Sequence, residues 1–344
     1  MLTFAAGPHT ADAPTIPLPH ADARSASFDL RGAASAACTI SAHDETSAEL
    51  LDALGMDGLT HDLWVWRDIE LLLRGRILPP AHNITADAHT VGLSAIDYRG
   101  VLGRVPMPHP PLKVTSQPQS GIAWLLIIVA QNNVGAELGI TAGTFDGPDP
   151  VRDRTEWEPG KPIGECLEEL GAVDGGFEWE IDSLRQLNTW SPRRGEDRPN
   201  VVFAWPQTAI DANAGRAIED IANAVIATGN PEQTTPVTLA AGDVGTDPRG
   251  RWTTVVQSQN VTRQATLNAR APRLLADAQA SRADWQMTLL PGIWEGRASA
   301  WLGDTVRFAV TSGPLAEAGP ARLTQLAINE ADGAETVTVT LEAP

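Results

Sequence analysis

Strict alternation of apolar and polar residues near the C-terminus constrains the fold more than any other feature of the sequence. Side chains two positions apart lie on the same face of a strand, so this pattern predicts half-buried strands. The positions on the apolar face are Val306, Phe308 and Val310, then Thr324, Leu326 and Ile328, and then Val337, Val339 and Leu341. Asp332-Gly333 separates the last two runs, as expected of a hairpin turn. The end of the chain is therefore predicted to be a β-meander.

The rest of the chain divides into three segments that together predict an α+β, β-rich fold. Residues 1–112 alternate short strand patterns with turns, 113–200 are helical and then extended, and 201–344 contain strands and one long helix before the meander. Five prolines between Pro106 and Gln119 predict a linker, which places the first boundary near residue 112. The second boundary is expected near residue 200.

Several helices have clear beginnings or apolar stripes. Asp97 is expected to cap a short helix over residues 98–104, and Ser120 to cap the helix that contains Ile122–Ala130. The longest apolar run of the chain, Ile122–Ala130, is too short to cross a bilayer. A third helix is predicted from an apolar stripe with i, i+3, i+4 and i+7 spacing. Its members are Ile163, Cys166, Leu167 and Leu170.

Residues 81–89, AHNITADAH, raise the question of a metal or glycan site. His82 and His89 flank Asp87, and Asn83-Ile84-Thr85 matches a glycosylation acceptor. A composite metal site with His61 and Asp62 is conceivable, but seven residues across a flexible loop do not fix ligand geometry. We expect a loop between two strands, exposed or at a protein interface and without bound metal. The N-terminus lacks a signal peptide pattern, so the glycosylation match is attributed to chance.

Charge and cysteine content exclude several classes of protein. The net charge is −18, and no basic stripe for gripping nucleic acid phosphates is present. Cys38 and Cys166 are the two cysteines, too few for a disulfide scaffold, and both are expected to be buried thiols. We expect a protein made in the cytoplasm, with no cofactor.

The sequence contains no recognisable catalytic constellation. It lacks a phosphate-binding loop, a dinucleotide-binding glycine motif, paired helical histidines and a nucleophile elbow. Glu178 and Glu180 are two apart on a predicted strand and so share a face, which favours a solvated acidic face over a glycosidase pair. The eleven tryptophans, including the pair Trp64 and Trp66, favour packing over a ligand platform. No catalytic, cofactor-binding or metal residue is predicted.

Several stretches, taken in order, resemble the tail-hub (baseplate hub) proteins of long-tailed phages. The similarity is greatest to minor tail proteins of phages that infect actinobacteria. The matching stretches are LLLRGRI, TVGLSAIDYRGVLGRV, GIAWLLIIVAQ, RDRTEWEPGKPIGECLEELGAVDGGFEWEID, NAVIATGN, TLNARAPRLLADA, WLGDTVRFAV and RLTQLAINEADGAETVTVTL. They span residues about 65 to 341, whereas the first 25 residues match nothing in the family.

The resemblance implies a fold and an assembly role in the virion. Residues 1–112 and 201–344 would each form a β-barrel or β-sandwich domain like a tail-tube subunit, and 113–200 an α/β insertion domain. Three copies would form a pseudo-sixfold ring that joins the tail tube or a distal-tail ring to the tip spike or fibre proteins. Genomic DNA would pass through the lumen without specific binding, and the tape-measure protein is a further partner. No membrane insertion and no added peptidase or lysozyme domain are expected.

A carbohydrate-binding or glycan-degrading tail protein is the alternative. Trp64, Trp66, Glu178, Trp179 and Glu180 motivate it, because sugar sites combine aromatic platforms with carboxylates. Exposed tryptophans on the floor of a groove with opposed carboxylates would favour this alternative. A secreted β-rich bacterial enzyme is a weaker third reading. If the hub reading holds, the sheet edges and exposed tryptophans of the first and third segments are the expected interfaces.

Overall fold

A computed structural model describes twelve stretches of the chain. The chain divides into two compact units. The described residues are 1–54, 58–110, 112–133, 138–154, 157–173, 175–215, 222–240, 250–257, 264–280, 284–311, 316–331 and 333–342. The larger unit comprises Met1–Asp211 and Met287–Leu341, and the smaller comprises Ala212–Gln286 and Glu342–Pro344. The predicted boundaries near 112 and 200 both fall inside the larger unit, and the three-domain division stays a prediction.

The described residues form many strands and few helices, so the α+β, β-rich class is confirmed. The strands are β1 Leu2–Pro8, β2 Ile16–Pro17, β3 Asp22–Asp29, β4 Ser35–Ser41, β5 His61–Arg67, β6 Glu70–Ile77, β7 Ala81–Ile84, β8 His89–Asp97, β9 Val114–Pro118, β10 Thr141–Asp146, β11 Val151–Arg154, β12 Glu178–Ile181, β13 Gln186–Trp190, β14 Asp197–Trp205, β15 Ala209–Gly215, β16 Ala224–Thr228, β17 Val237–Ala240, β18 Thr253–Gln257, β19 Asp284–Leu289, β20 Thr305–Val310, β21 Glu317–Ala331 and β22 Ala334–Glu342. The helices are α1 Glu45–Leu54, α2 Tyr98–Leu102, α3 Gln119–Asn133, α4 Ile163–Gly171 and α5 Gln264–Ala280. None of these helices is long and apolar enough to cross a membrane.

One large sheet joins the beginning and the end of the chain. Its main path runs β15-β19-β22-β21-β3-β4-β8-β6-β5-β1-β2, with β20 on β21, β14 on β20 and β7 on β8. β3 pairs antiparallel with β21, so that Phe28 faces Leu326 and Ala26 faces Ile328. The predicted meander is confirmed as β20 to β22, with its apolar positions buried. Asp332 of the predicted turn lies outside the described residues, and Gly333 has φ +75°.

The stretch AHNITADAH is a hairpin, so the prediction of a loop between strands is wrong. Residues 81–84 form β7, which pairs with the first half of β8, and only residues 85–88 form the turn. The turn is closed by the Thr85 amide, which donates to the Ala88 carbonyl at 2.8 Å. This strand could not be predicted from the sequence, because it has no alternating apolar residues that would mark a buried face. All four residues of β7 are exposed.

The predicted cap of α2 is confirmed. The Asp97 carboxylate accepts from the Gly100 amide at 2.8 Å, and its second oxygen accepts from the Ala34 amide at 3.0 Å. Asp97 therefore satisfies a free helical N–H group and also fastens the β3–β4 connection to α2. Tyr98 and Leu102 of this helix are fully buried.

The region between the two sequence boundaries shares one apolar core with residues just before the first boundary. α4 is confirmed, and all four residues of its predicted stripe are buried against α3 and β12. The predicted linker is more ordered than expected, because Val105, Met107 and Val114 belong to this core and β9 pairs with β11. Ser120 does not cap α3. The helix begins at Gln119, and the carboxylate of Asp149 accepts from the Ser120 amide at 2.9 Å.

The smaller unit is a three-stranded sheet with one helix. β16 lies between β17, which is antiparallel to it, and β18, which is parallel. Leu267 and Ala271 of α5 are buried against Ala227 of β16. β16 is formed by part of the NAVIATGN stretch, and the predicted long helix is confirmed as α5, with Pro272 inside it.

Candidate assembly surfaces and buried ion pairs

The two carboxylates considered for glycan chemistry are occupied by arginines. Arg322 Nη1 and Nη2 donate to Glu178 Oε1 and Oε2 at 2.8 and 2.5 Å, a bidentate pair. Arg194 Nη1 donates to Glu180 Oε2 at 2.5 Å. The side chains of Glu178 and Glu180 are only 27% and 22% exposed, so the expected solvated acidic face is wrong. These carboxylates neutralise arginines, and neither is available as a free acid or base.

The tryptophans are mostly buried or half-buried, and they provide no exposed platform. Trp64 and Trp179 are 2% and 4% exposed, and of all the tryptophans Trp252 alone is exposed, at 42%. Five lie under a guanidinium at 4.2–4.9 Å from the ring centroid, a favourable cation–π arrangement. The pairs are Arg67–Trp294, Arg74–Trp64, Arg99–Trp179, Arg194–Trp190 and Arg297–Trp301. The expectation of exposed tryptophans at interfaces is therefore wrong for the larger unit.

Two cavities in the larger unit also give no support to a sugar site. The first, about 40 Å³, is lined by Asp97, Glu180 and Arg297 among others and has room for only about three waters. The second, about 250 Å³, lies beside Trp294 and contains a single carboxylate, Glu335. Arg67 holds that carboxylate by three hydrogen bonds of 2.9–3.1 Å. The second lining therefore contains no opposed pair of carboxylates.

The four residues considered for a composite metal site do not form one cluster, because His61 and Asp62 have other partners. Asp62 is fully buried and binds Arg74, Arg76 and Tyr98, while the His61 ring hydrogen-bonds the Thr60 hydroxyl at 2.9 Å. His82 and His89 meet on the β7–β8 hairpin, residues 81–92. Within the described stretches, no group of three or more His, Cys, Asp or Glu side chains is arranged to hold a metal ion. His82 and Asp87 are exposed as expected, and His89 is half-buried.

Both cysteines are buried free thiols, as the sequence predicts. Burial raises the pKa of Cys38 to about 12, with Arg24 acting in the opposite direction. A thiol with this pKa is neutral at physiological pH and therefore unreactive.

The protonation of the Asp97 carboxylate depends strongly on its surroundings. Burial raises its pKa from 3.8 to about 6, against the opposing effects of the Gly100 and Ala34 amides and of Arg99, while Glu180 raises it further. The folded protein binds the Asp97 proton more tightly than the unfolded chain does. The contribution of this protonation to the free energy of unfolding is therefore complete below about pH 4. It is lost as the pH rises through about 6.

We therefore expect the wild type to lose more stability than Asp97→Asn when the pH is raised from 4.5 to 7. The free energy of unfolding from urea titrations at the two pH values measures this, and the neutral amide of the variant provides the control. Equal pH dependence of the two proteins would contradict the assignment.

Two edge strands of the large sheet expose aliphatic side chains. β7 pairs only with β8, and β14 pairs only with β20, within the part of the chain that the structure describes. Ile84 on β7 is 71% exposed and Val202 on β14 is 43% exposed, and Ile69 at the β5–β6 turn is 98% exposed. Edge strands present unpaired backbone groups, and natural proteins usually protect them with charges or cover them. These edges are candidate contact surfaces for other subunits.

Comparison with known proteins places this fold among phage tail proteins. No family model and no curated protein matches the sequence. The structure is similar to a tail protein from Neisseria meningitidis MC58, with a TM-score of 0.70 and 14% identity over 99% of this chain and 96% of that one. It is also similar to the 43 kDa tail protein of prophage MuSo2 from Shewanella oneidensis, with a TM-score of 0.71 and 12% identity over 100% and 98% of the two chains. For prophage tail protein gp18 from Listeria monocytogenes EGD-e the values are 0.56 and 11%, over 98% and 94%. The chain therefore has the fold of these phage tail proteins.

Proposed function

We propose that this protein is a structural subunit of a phage tail that acts as the hub at the tail tip. The observation that carries the proposal is the extent of the fold similarity, which covers nearly the whole of this chain and of two tail proteins. A shared fold alone does not assign a function. Here the similarity agrees with a chain whose Glu178 and Glu180 carboxylates are ion-paired and whose edge strands β7 and β14 expose Ile84 and Val202.

In this proposal three copies form a ring of pseudo-sixfold symmetry. Residues 1–112 and 201–344 supply the two tube-like β domains and 113–200 the insertion domain. The ring joins the tail tube or distal-tail ring to the tip spike or fibre proteins, and it adjoins the tape-measure protein. The protein is made in the cytoplasm of a bacterial host, is incorporated into the virion and catalyses no reaction.

The charge of the chain supports a channel role. A net charge of −18 repels phosphates, so a lumen formed by such subunits would let DNA slide through without adhering. Unpaired edges such as β14 support ring formation, because pairing with a neighbouring subunit would satisfy their backbone groups.

We expect the purified chain, alone or mixed with its tail neighbours, to form a trimeric ring with a central channel. Light scattering measures the mass, which should be three times that of the single chain, and cryo-electron microscopy shows the ring. A monomer that stays monomeric even with its tail neighbours would overturn the proposal.

A variant tests the edge itself. Val202→Lys on β14 should raise the concentration needed for half-assembly at least tenfold, and circular dichroism should show that the fold is kept. Ile69→Lys is the matched control, because Ile69 is exposed at a turn and not on an edge strand. Equal assembly of both variants would exclude β14 as the contact while leaving the ring itself in place.

A further inference from the structure

The β7–β8 hairpin brings two imidazole rings together, with their planes tilted by 41° and their centroids 5.3 Å apart. His82 lies opposite Val91 and Ile84 lies opposite His89 in the strand register, so the two histidines are diagonal neighbours on one face. His82 Nδ1 and His89 Nε2 are 3.1 Å apart. The backbone ladder and the Thr85–Ala88 turn set the spacing of the two residues. Both histidines therefore lie on paired strands and not on a flexible loop.

The gap between the two ring nitrogens has room for one proton or one metal ion. A neutral imidazole has one nitrogen with a lone pair and one with a proton, so only one proton fits between two nitrogens that face each other. A metal ion can take the place of that proton, since neutral imidazole nitrogen is a common ligand of divalent transition metals. At metal–nitrogen distances of about 2.0–2.1 Å, two ligands of a tetrahedral site lie roughly 3.3–3.4 Å apart. The observed separation is within about 0.3 Å of this requirement.

The surroundings of the pair favour a cation and leave it accessible. His43, which follows β4, is exposed, and its ring centroid lies 6.3 Å from that of His89. Its present position does not make it a ligand, but it is the nearest further imidazole among the ring contacts of His89. His82 is exposed, so water or a neighbouring side chain can complete the coordination. The net charge of −18 attracts cations to the protein surface.

We propose that His82 and His89 form a binding site for one divalent transition metal ion of the zinc, nickel or copper class. The two ring nitrogens supply two ligands, and solvent supplies the others. The site consists of residues on one hairpin, so it is present in a single chain and does not rest on the proposed function.

Isothermal titration of the untagged, metal-free full chain with zinc chloride and with nickel chloride at pH 7.5 tests the proposal. One ion per chain is expected. His82→Ala and His89→Ala should each weaken binding at least tenfold, and His43→Ala should weaken it less. His20→Ala is the matched control, because His20 is exposed and lies outside the ring contacts of the hairpin. Lowering the pH to 5.5 should also weaken binding, because protons compete for the same nitrogens.

Two results would overturn the proposal. One is the absence of binding to the wild type at millimolar metal, which would leave only a hydrogen bond between the rings. The other is binding that both hairpin variants retain at full strength, which would place the ion elsewhere. Circular dichroism of each variant establishes that lost binding does not reflect unfolding. Neither result depends on whether the protein forms a ring.

Discussion

Replacing Asp62 with asparagine is expected to lower the free energy of unfolding by about 3–5 kcal/mol, the range for breaking a buried ion pair. The Asp62 side chain is 0% exposed. It accepts from Arg74 Nε at 2.8 Å, from Arg76 Nε at 3.3 Å and from the Tyr98 hydroxyl at 2.8 Å. Asparagine keeps the shape but removes the negative charge, which leaves two buried guanidinium groups without their counter-ion.

Urea denaturation followed by tryptophan fluorescence and by circular dichroism measures this loss. Asp68→Asn is the matched control, because Asp68 lies on the turn after the same strand and its side chain is 68% exposed. Surface charges of this kind contribute little, so the control should stay within about 0.5 kcal/mol of the wild type. A loss of less than about 1 kcal/mol for Asp62→Asn would mean that water or backbone groups compensate the arginines.

Local features of the fold follow from the sequence because their physical causes are local. The alternation from Val306 to Leu341 determines which face of each strand is buried, and the structure buries that face. Asp97 accepts from the amide three residues later, and the i, i+3, i+4, i+7 stripe of α4 forms one buried face. Each of these patterns involves residues within a few positions of one another, so no knowledge of the distant chain is needed.

Long-range pairing could not be predicted in the same way. The β3–β21 ladder joins residues about 300 positions apart, and alternation within a strand does not identify its partner. The β7 strand was missed for a related reason. It lies at an edge with every residue exposed, so it lacks the apolar alternation by which the strands of the C-terminal meander were predicted.

For the candidate site too, the sequence shows which residue types are present but not where distant residues come together. The count of tryptophans is plain in the sequence, but their burial depends on arginines from distant elements, such as Arg67 over Trp294 and Arg99 over Trp179. Likewise, the acidic pattern of β12 predicts a shared face correctly. Its solvation was predicted wrongly, because Arg322 is 144 residues away from Glu178.

Arg322 and Glu178 provide the second large effect, because they join β21 to β12 through a fully bonded network. Besides its two bonds to Glu178, the Arg322 guanidinium donates to the carbonyls of Arg194 at 2.9 Å and Gly303 at 3.2 Å. Glu178 Oε2 also accepts from the Arg194 amide at 2.8 Å. The Arg322 side chain is 10% exposed, so little solvent replaces these contacts when one partner is removed. We expect Arg322→Met to cost about 3 kcal/mol, since it leaves the Glu178 carboxylate without its cation.

A double-mutant cycle separates this pair from the packing around it. Arg322→Met and Glu178→Gln should each destabilise the protein, and the double variant should cost less than the two losses added together. The expected coupling is about 2 kcal/mol, within the range for contacting residues of one network. The Arg198–Glu196 pair is the matched control, with a distance of 3.1 Å but side chains 35% and 74% exposed. Its coupling should be below about 0.5 kcal/mol, because solvent screens exposed charges. Equal coupling in the two cycles would mean that burial does not strengthen the Arg322–Glu178 pair, and that the β12–β21 junction is held by apolar packing instead.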